Sequence, residues 1–145
     1  MNQDATAARV WEAVGLWADG RRGEAMRELA DLTEAQTLPE MYGVACGLAV
    51  VAQAALTQMH GLQPGAAFWG VRTPHGASPE DVLTAEQLFT ARFIAAFLNS
   101  DTDTTMALFV SAYTSPDPAL LPACLGTMLA ATGEAVGELT RGGRR

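Results

Sequence analysis

Apolar residues recur at helical spacing along almost the whole chain, and this periodicity limits the fold more than any other feature. Between residues 5 and 18 the spacing is i, i+3, i+4, i+7 and i+10. It places these residues on one helix face: Ala7, Val10, Trp11, Val14 and Trp17. Similar stripes follow over residues 26–33, 89–97 and 106–113. The sequence therefore predicts an all-α fold.

Two further segments, residues 39–60 and 118–140, are apolar on all sides, as expected of buried helices. We predict that they pair at the centre of a bundle, where Gly43, Gly47 and Gly126 would permit close backbone approach. Residues 41–59 approach the ~20 apolar residues of a membrane span. Gln53 lies inside this run and no arginine flanks it, which favours a core helix and no membrane contact.

The order of features repeats along the chain. We predict about six helices in two similar three-helix halves, forming a single helical domain over residues 1–145. The first half covers residues 1–60, a Gly/Pro-rich linker loop 61–78, the second half 79–140 and a basic tail 141–145. The alternative is a chance alignment of unrelated amphipathic helices. The matching pairs lie 80, 79 and 78 residues apart: Met26 and Met106, Pro39 and Pro118, Cys46 and Cys124.

Composition restricts the partners of this fold. With 49% apolar and 17% charged residues the chain has the content of a globular domain, and its net charge of −7 repels nucleic acid over most of the surface. The terminal arginines, Arg141, Arg144 and Arg145, are expected to form a frayed tail. We therefore predict no nucleic-acid partner.

The N-terminus is polar and lacks the apolar core of a secretory signal, so we expect a cytoplasmic location. Cys46 and Cys124 lie in apolar runs, where a free thiol behaves as a small buried hydrophobe. A disulfide and a catalytic thiol are the less favoured alternatives.

The stretch "NSDTDTT" at residues 99–105 resembles a reactive motif. Asp101, Asp103 and Thr105 spell the D-x-D-x-T box of haloacid-dehalogenase phosphotransferases. That chemistry needs a preceding strand and a lysine, but the preceding residues have helical spacing and the chain contains no lysine. An EF-hand calcium loop fails because Met106 and Ala112 replace its glycine and glutamate. We interpret the stretch as a helix–helix turn and N-cap.

No spacing of His and Cys matches a metal site, and no nucleotide or nucleophile motif occurs, so we predict no metal, no cofactor and no catalytic residue. The linker holds the candidate contact residues for a ligand or partner: Phe68, Trp69, Arg72 and His75. The alternative is that Phe68 and Trp69 pack into the core and hold a long crossover.

These features favour a non-enzymatic protein–protein interaction module, an adaptor or regulatory accessory protein that contacts a protein partner and forms a homo-oligomer. The alternative function is a small-molecule binding protein or small enzyme. It would use the apolar centre of the bundle, with the 61–78 loop as a lid.

Overall fold

The structure, a computed structural model, describes residues 3–34, 36–60 and 78–142, and every regular element in these ranges is an α-helix. The all-α prediction is confirmed. The first three helices are α1 (Gln3–Ala18), α2 (Arg22–Thr33) and α3 (Leu38–His60). A single helical turn, α4 (Pro79–Val82), precedes α5 (Ala85–Leu98), α6 (Thr102–Tyr113) and α7 (Leu120–Gly142).

Local capping residues explain several of these boundaries. Thr84 and Gln87 form a capping box at the start of α5, with the Thr84 hydroxyl accepting from the Gln87 N–H. The short turn α4 follows Ser78, whose carbonyl accepts from the Asp81 N–H. α7 begins at Leu120 rather than at Pro118, and Asp117 accepts from the N–H groups of Ala119 and Leu120 in the turn before it.

The two long helices, α3 and α7, pack against each other at the centre, as the all-round apolar pattern predicts. α1 packs on α2, α3 and α7, and α5 packs on α3, α6 and α7. The core formed between them contains these fully buried side chains among others: Val14, Leu48, Phe93, Leu125, Met128 and Leu129. The four helices α1, α3, α5 and α7 enclose this core. The two shorter helices α2 and α6 cover its flanks.

The glycines expected between α3 and α7 lie elsewhere, which corrects that prediction. A side chain added at Gly43 would meet no atom within 4 Å, Gly47 lies against Val10 of α1, and Gly126 lies against Met26 of α2. The close approach occurs instead at Gly133 of α7, which packs directly on Trp17 of α1. Periodicity identifies a buried helix but not the neighbour that each face meets.

By length and composition alone, α3 over Leu38–Met59 and α7 over Leu120–Gly142 could each cross a membrane. In the structure 39% and 44% of the most apolar stretch of each helix is buried inside the protein. The core helix of a water-soluble protein has the same length and composition.

Thr132 of α7 is a polar residue in the core, with 1% of its surface exposed and no hydrogen-bond partner for its hydroxyl. We expect Thr132→Val, which keeps the shape and removes the hydroxyl, to raise the free energy of unfolding by about 1 kcal/mol. Chemical denaturation monitored by circular dichroism measures this change.

Thr105→Val is the matched control, because the Thr105 side chain is equally buried but its hydroxyl is hydrogen bonded to Tyr42 and to the Thr102 carbonyl. The free energy of unfolding of this variant should be lower than that of the wild-type protein by about 1 kcal/mol or more. A loss of stability in both variants would contradict the assignment of an unpaired hydroxyl at Thr132.

Candidate functional site

One stripe on the outer surface of α6 is apolar and exposed. Its sequence pattern groups Met106, Phe109, Val110 and Tyr113 on one stripe, but the structure buries only Phe109 of these four. The buried face of the helix consists of Thr105, Phe109 and Ala112. Met106, Val110 and Tyr113 remain 37%, 36% and 44% exposed. We call these three residues the α6 face.

The geometry of the helix keeps the α6 face continuous. Its members are spaced i, i+4 and i+7, so they follow one side of the helix over two turns. The Tyr113 ring stacks on Phe109 with centroids 6.4 Å apart and an interplanar angle of 20°. The tyrosine is therefore held against the core by one side of its ring while it remains accessible.

Charge distinguishes α6 from α2, the other flanking helix. Asp103 in the first turn is the only charged residue between Thr102 and Tyr113. By contrast, charged residues follow one another along α2: Arg22, Glu24, Arg27, Glu28 and Asp31. A solvated helix ordinarily carries several charges on its outer face, so the outer face of α6, with Asp103 as its one charged residue, is unlike that of an ordinary surface helix.

A cavity of about 440 Å³, with both polar and apolar residues in its lining, lies beside the first turn of α6. It opens between α3, the α5–α6 turn and α6, and the residues that line it are Tyr42, Cys46, Gln53, Phe97, Ser100, Asp101, Thr102 and Thr105. Its volume is in the range of small-molecule sites.

Tyr42 and Thr105 form the hydrogen bond that joins the two walls of this cavity, with 2.8 Å between the hydroxyl oxygens. The Thr105 hydroxyl also donates to the Thr102 carbonyl at 2.9 Å. Because a hydroxyl has a single proton, Tyr42 must donate to Thr105. The Tyr42 oxygen is therefore left with acceptor capacity, and the Cys46 thiol is a neighbouring hydrogen-bonding group.

Burial raises the pKa of the Tyr42 phenol, the hydrogen bond to Thr105 partly opposes that rise, and the neighbouring Cys46 adds to it. Burial also raises the pKa of the Cys46 thiol, with a smaller opposing effect from Tyr42. Burial likewise raises the pKa of the Cys124 thiol to about 11. All three groups are neutral at pH 7, so neither thiol is an activated nucleophile.

Asp101 is the N-cap of α6, as the sequence predicts for this stretch. Its two carboxylate oxygens accept from the Thr104 N–H at 3.1 Å and the Thr104 hydroxyl at 2.6 Å. These hydrogen bonds hold the pKa of Asp101 below its ordinary value. The carboxylate is ionised at neutral pH, and its charge stabilises the start of the helix.

The residues singled out in the linker, Phe68, Trp69, Arg72 and His75, lie outside the described residues. Cys124 is buried, whereas Cys46 is half-buried at the cavity. Within the described ranges, no group of three or more His, Cys, Asp or Glu side chains could hold a metal ion.

Sequence reasoning found Asp101 as a cap but missed Tyr42 and Thr105 as partners. These two residues are 63 positions apart in the sequence. Their contact could have been predicted only by knowing that α3 packs against α6.

Comparisons with protein-family models, curated proteins and solved structures find no match to this chain. Functional conclusions for this protein therefore rest on the chemistry of its own residues.

Proposed function

We propose that this protein is a non-enzymatic interaction module that associates with a second copy of itself through the α6 face. The observation that carries the proposal is the exposed, uncharged surface formed by Met106, Val110 and Tyr113. The neutral state of the two cysteines supports a role without thiol chemistry.

The low charge of α6 makes its outer face the least repulsive place for a second copy to bind. Two chains that each carry a net charge of −7 repel each other over most orientations. Contact through the α6 face brings no charged side chain beyond Asp103 into the interface. Burial of the exposed methionine, valine and tyrosine then stabilises the pair, and Asp103 is the one ion of α6 whose desolvation opposes it.

The size of the surface determines how tight the pair can be. A helix of 12 residues is ~18 Å long, so contact through this helix alone belongs to the smallest class of specific interfaces. We therefore expect a reversible dimer that dissociates on dilution.

Sedimentation velocity over a range of protein concentrations tests this proposal. The wild-type protein should show a mass that rises from monomer to dimer. Val110→Glu places a carboxylate at the middle of the α6 face and should weaken association by tenfold or more, since about 1.4 kcal/mol suffices for that change.

Ala30→Glu provides the matched control, because Ala30 is an exposed residue at the corresponding place on α2. It adds the same charge but should leave the association unchanged. A wild-type protein that stays monomeric up to millimolar concentration contradicts the proposal, as does an equal effect of the two substitutions.

We also propose that the chain consists of two copies of a three-helix unit. The 12-residue helices α2 and α6 start at residues 22 and 102 and end at 33 and 113. The turns before them have the same hydrogen bonds, from Gly20 to Trp17 and from Ser100 to Phe97. Gly20 and Ser100 both have positive φ, 84° and 58°. This agreement in backbone geometry is stronger support than the residue identities.

The packing of the helices supports the same proposal. α1 contacts α7 of the other half, and α5 contacts α3 in return. Likewise α2 contacts α7, and α6 contacts α3. This reciprocity is what a two-fold relation between the halves requires. The central contact, between α3 and α7, pairs equivalent helices.

We propose that the protein is cytoplasmic and that α3 and α7 are core helices rather than membrane spans. The Glu134 carboxylate of α7 accepts from the Arg22 guanidinium of α2 at 2.8 Å. This ion pair is exposed on the surface of the bundle. A charged pair at that place suits an aqueous surface better than a lipid-facing one.

Binding of a small molecule is the second candidate function, and the cavity beside Tyr42 favours it. This cavity lies at the edge of the bundle rather than at its apolar centre. A lid formed by residues 61–78 stays a prediction from the sequence.

A further inference from the structure

A groove of about 430 Å³ lies between α2 and the start of α7, and none of the residues of the α6 face lines it. We call it the α2 groove. Leu29 and Leu125 in its lining are buried, whereas Met26 is 41% exposed. Ala30 and Pro122 complete its apolar part. The α2 groove is therefore an apolar surface that water reaches.

Two exposed carboxylates, Asp31 and Glu34, also line the α2 groove. They are three residues apart at the end of α2, where Glu34 is the C-cap, so their negative charges are neighbours and repel each other. The C-terminus of a helix itself has a partial negative charge of roughly half a unit. No basic residue lies in the last turn of α2. Negative charge therefore accumulates at this end of the groove.

The other two acidic residues of α2 have partners that neutralise them. Glu24 pairs with Arg21, and Glu28 pairs with Arg9 at 2.7 Å. In the part of the chain that the structure describes, no ion pair involves either acid of the α2 groove, and no basic side chain is among the described residues that line it. A cation supplied by a partner would relieve the repulsion there.

The corresponding positions of α6 indicate that the partner is not a second copy. Ser111 and Thr114, which are uncharged, follow Asp31 and Glu34 by 80 residues. Contact through the α2 groove would add its two charges to the repulsion between chains that each carry a net charge of −7. Charge complementarity requires a positively charged occupant instead.

We propose that the α2 groove binds a basic amphipathic helix of another protein. The apolar face of that helix lies against Met26 and Leu125, and its lysine or arginine side chains pair with Asp31 and Glu34. Methionine suits such a surface, because its flexible side chain adapts to apolar partners of different shape. The proposal goes beyond self-association through the α6 face and can fail independently of it.

Fluorescence anisotropy of a labelled peptide, titrated with the full-length protein, tests the proposal. The probe is an amphipathic helix of about fourteen residues built from leucine and lysine, with the leucines on one face. One control peptide has the same composition with the leucines scattered around the helix, and another has glutamate in place of lysine. We expect saturable binding of the probe, about tenfold weaker binding of the scattered peptide and none of the glutamate peptide. Added salt should weaken binding of the probe.

Substitutions within the α2 groove establish which residues act. Asp31→Asn combined with Glu34→Gln should raise the dissociation constant of the probe about threefold to tenfold, through the loss of two exposed ion pairs. Glu24→Gln combined with Glu28→Gln is the matched control, because it removes two charges from the same helix but outside the lining of the groove. It should change the dissociation constant by less than about twofold. Thermal unfolding of each variant confirms that it is folded.

Two single substitutions separate this proposal from the one for the α6 face. Ala30→Lys places a cation in the α2 groove and should raise the dissociation constant of the probe by about tenfold or more, with self-association unchanged. Val110→Glu should weaken self-association and leave the affinity for the probe unchanged. A Val110→Glu effect on the probe as large as that of Ala30→Lys overturns the proposal.

Equal affinity for the amphipathic and scattered peptides also overturns it, as does the absence of saturable binding. An equal effect of the two double substitutions has the same meaning, because the attraction would then be a diffuse one between opposite net charges. Selective loss of binding in the variants of the α2 groove supports the proposal.

Discussion

Replacing Phe109 by alanine should lower the free energy of unfolding by about 3–5 kcal/mol, the usual loss for a fully buried phenylalanine. Phe109 has 0% of its surface exposed and is the largest of the three buried side chains of α6. Its ring makes an edge-on contact with the Tyr42 ring, with the two centroids 5.3 Å apart, and it stacks on the Tyr113 ring. Without it, α6 retains only Thr105 and Ala112 as buried anchors. Urea unfolding measures the loss.

Val110→Ala provides the control for this prediction. Val110 is the next residue in α6 but is 36% exposed, so its truncation should change stability by no more than ~0.5 kcal/mol. Both proteins should be compared at low concentration, where association adds nothing to stability. Hydrogen exchange should also show faster opening of α6 in Phe109→Ala. A loss below about 1 kcal/mol would contradict the anchoring role of Phe109.

Replacing Gly133 by alanine should destabilise the protein by about 1–3 kcal/mol, although alanine is the better helix former. The added methyl carbon would lie 2.5 Å from Cδ1 and 2.6 Å from Cβ of Trp17. Rotation of the Trp17 side chain cannot relieve the contact with its own Cβ. α1 and α7 must therefore separate.

Trp17 is also held by polar contacts that such a movement would break. Its indole N–H donates to the Glu134 carboxylate at 3.1 Å. The Arg22 guanidinium carbon lies 5.2 Å from the centre of its ring. These contacts oppose a shift of the tryptophan, which is why we expect the clash to cost stability rather than to be absorbed.

Gly15→Ala is the matched substitution, because Gly15 lies in α1 and an added side chain there meets no atom within 4 Å. It should raise stability by about 0.5–1 kcal/mol through helix propensity alone. Opposite signs at the two glycines are the expected outcome of thermal unfolding. Stabilisation at both positions would contradict the close packing of α1 on α7.

The helices could be predicted because their causes lie close together in the sequence. The stripe of Val10, Val14 and Trp17 indicates α1, and the Thr84–Gln87 pair indicates the start of α5. Hydrogen bonds between residues i and i+4 and capping contacts within three residues need no distant partner. Asp101 was predictable as a cap for the same reason, even though its neighbours spell an enzymatic motif.

The faces of the helices could not be assigned in the same way. On α6 the apolar stripe predicted from sequence contains Met106 and Val110, but the core meets Thr105 and Ala112 instead. The two sets differ by a rotation of about one residue around the helix, because α6 is oriented by Phe109 against α3 and α5. Helical spacing allows either set to be buried, and the neighbouring helices select one.

The candidate sites show the same division between local and distant causes. Sequence reasoning placed the contact residues in the linker at Phe68, Trp69, Arg72 and His75, where aromatic and basic residues are adjacent in the chain. The cavity found beside Tyr42 instead joins α3 to residues of the α5–α6 turn and α6. The Tyr42–Thr105 hydrogen bond spans 63 residues of sequence.

By itself, the sequence of this protein determined its all-helical structure, most helix boundaries and the central position of α3 and α7, because spacing and capping act within a few residues. The tertiary structure alone decided that Met106, Val110 and Tyr113 stay exposed and that Tyr42, Gln53 and Asp101 share a cavity. Exposure and convergence depend on which helix covers which surface. That choice is made by packing between segments far apart in the chain.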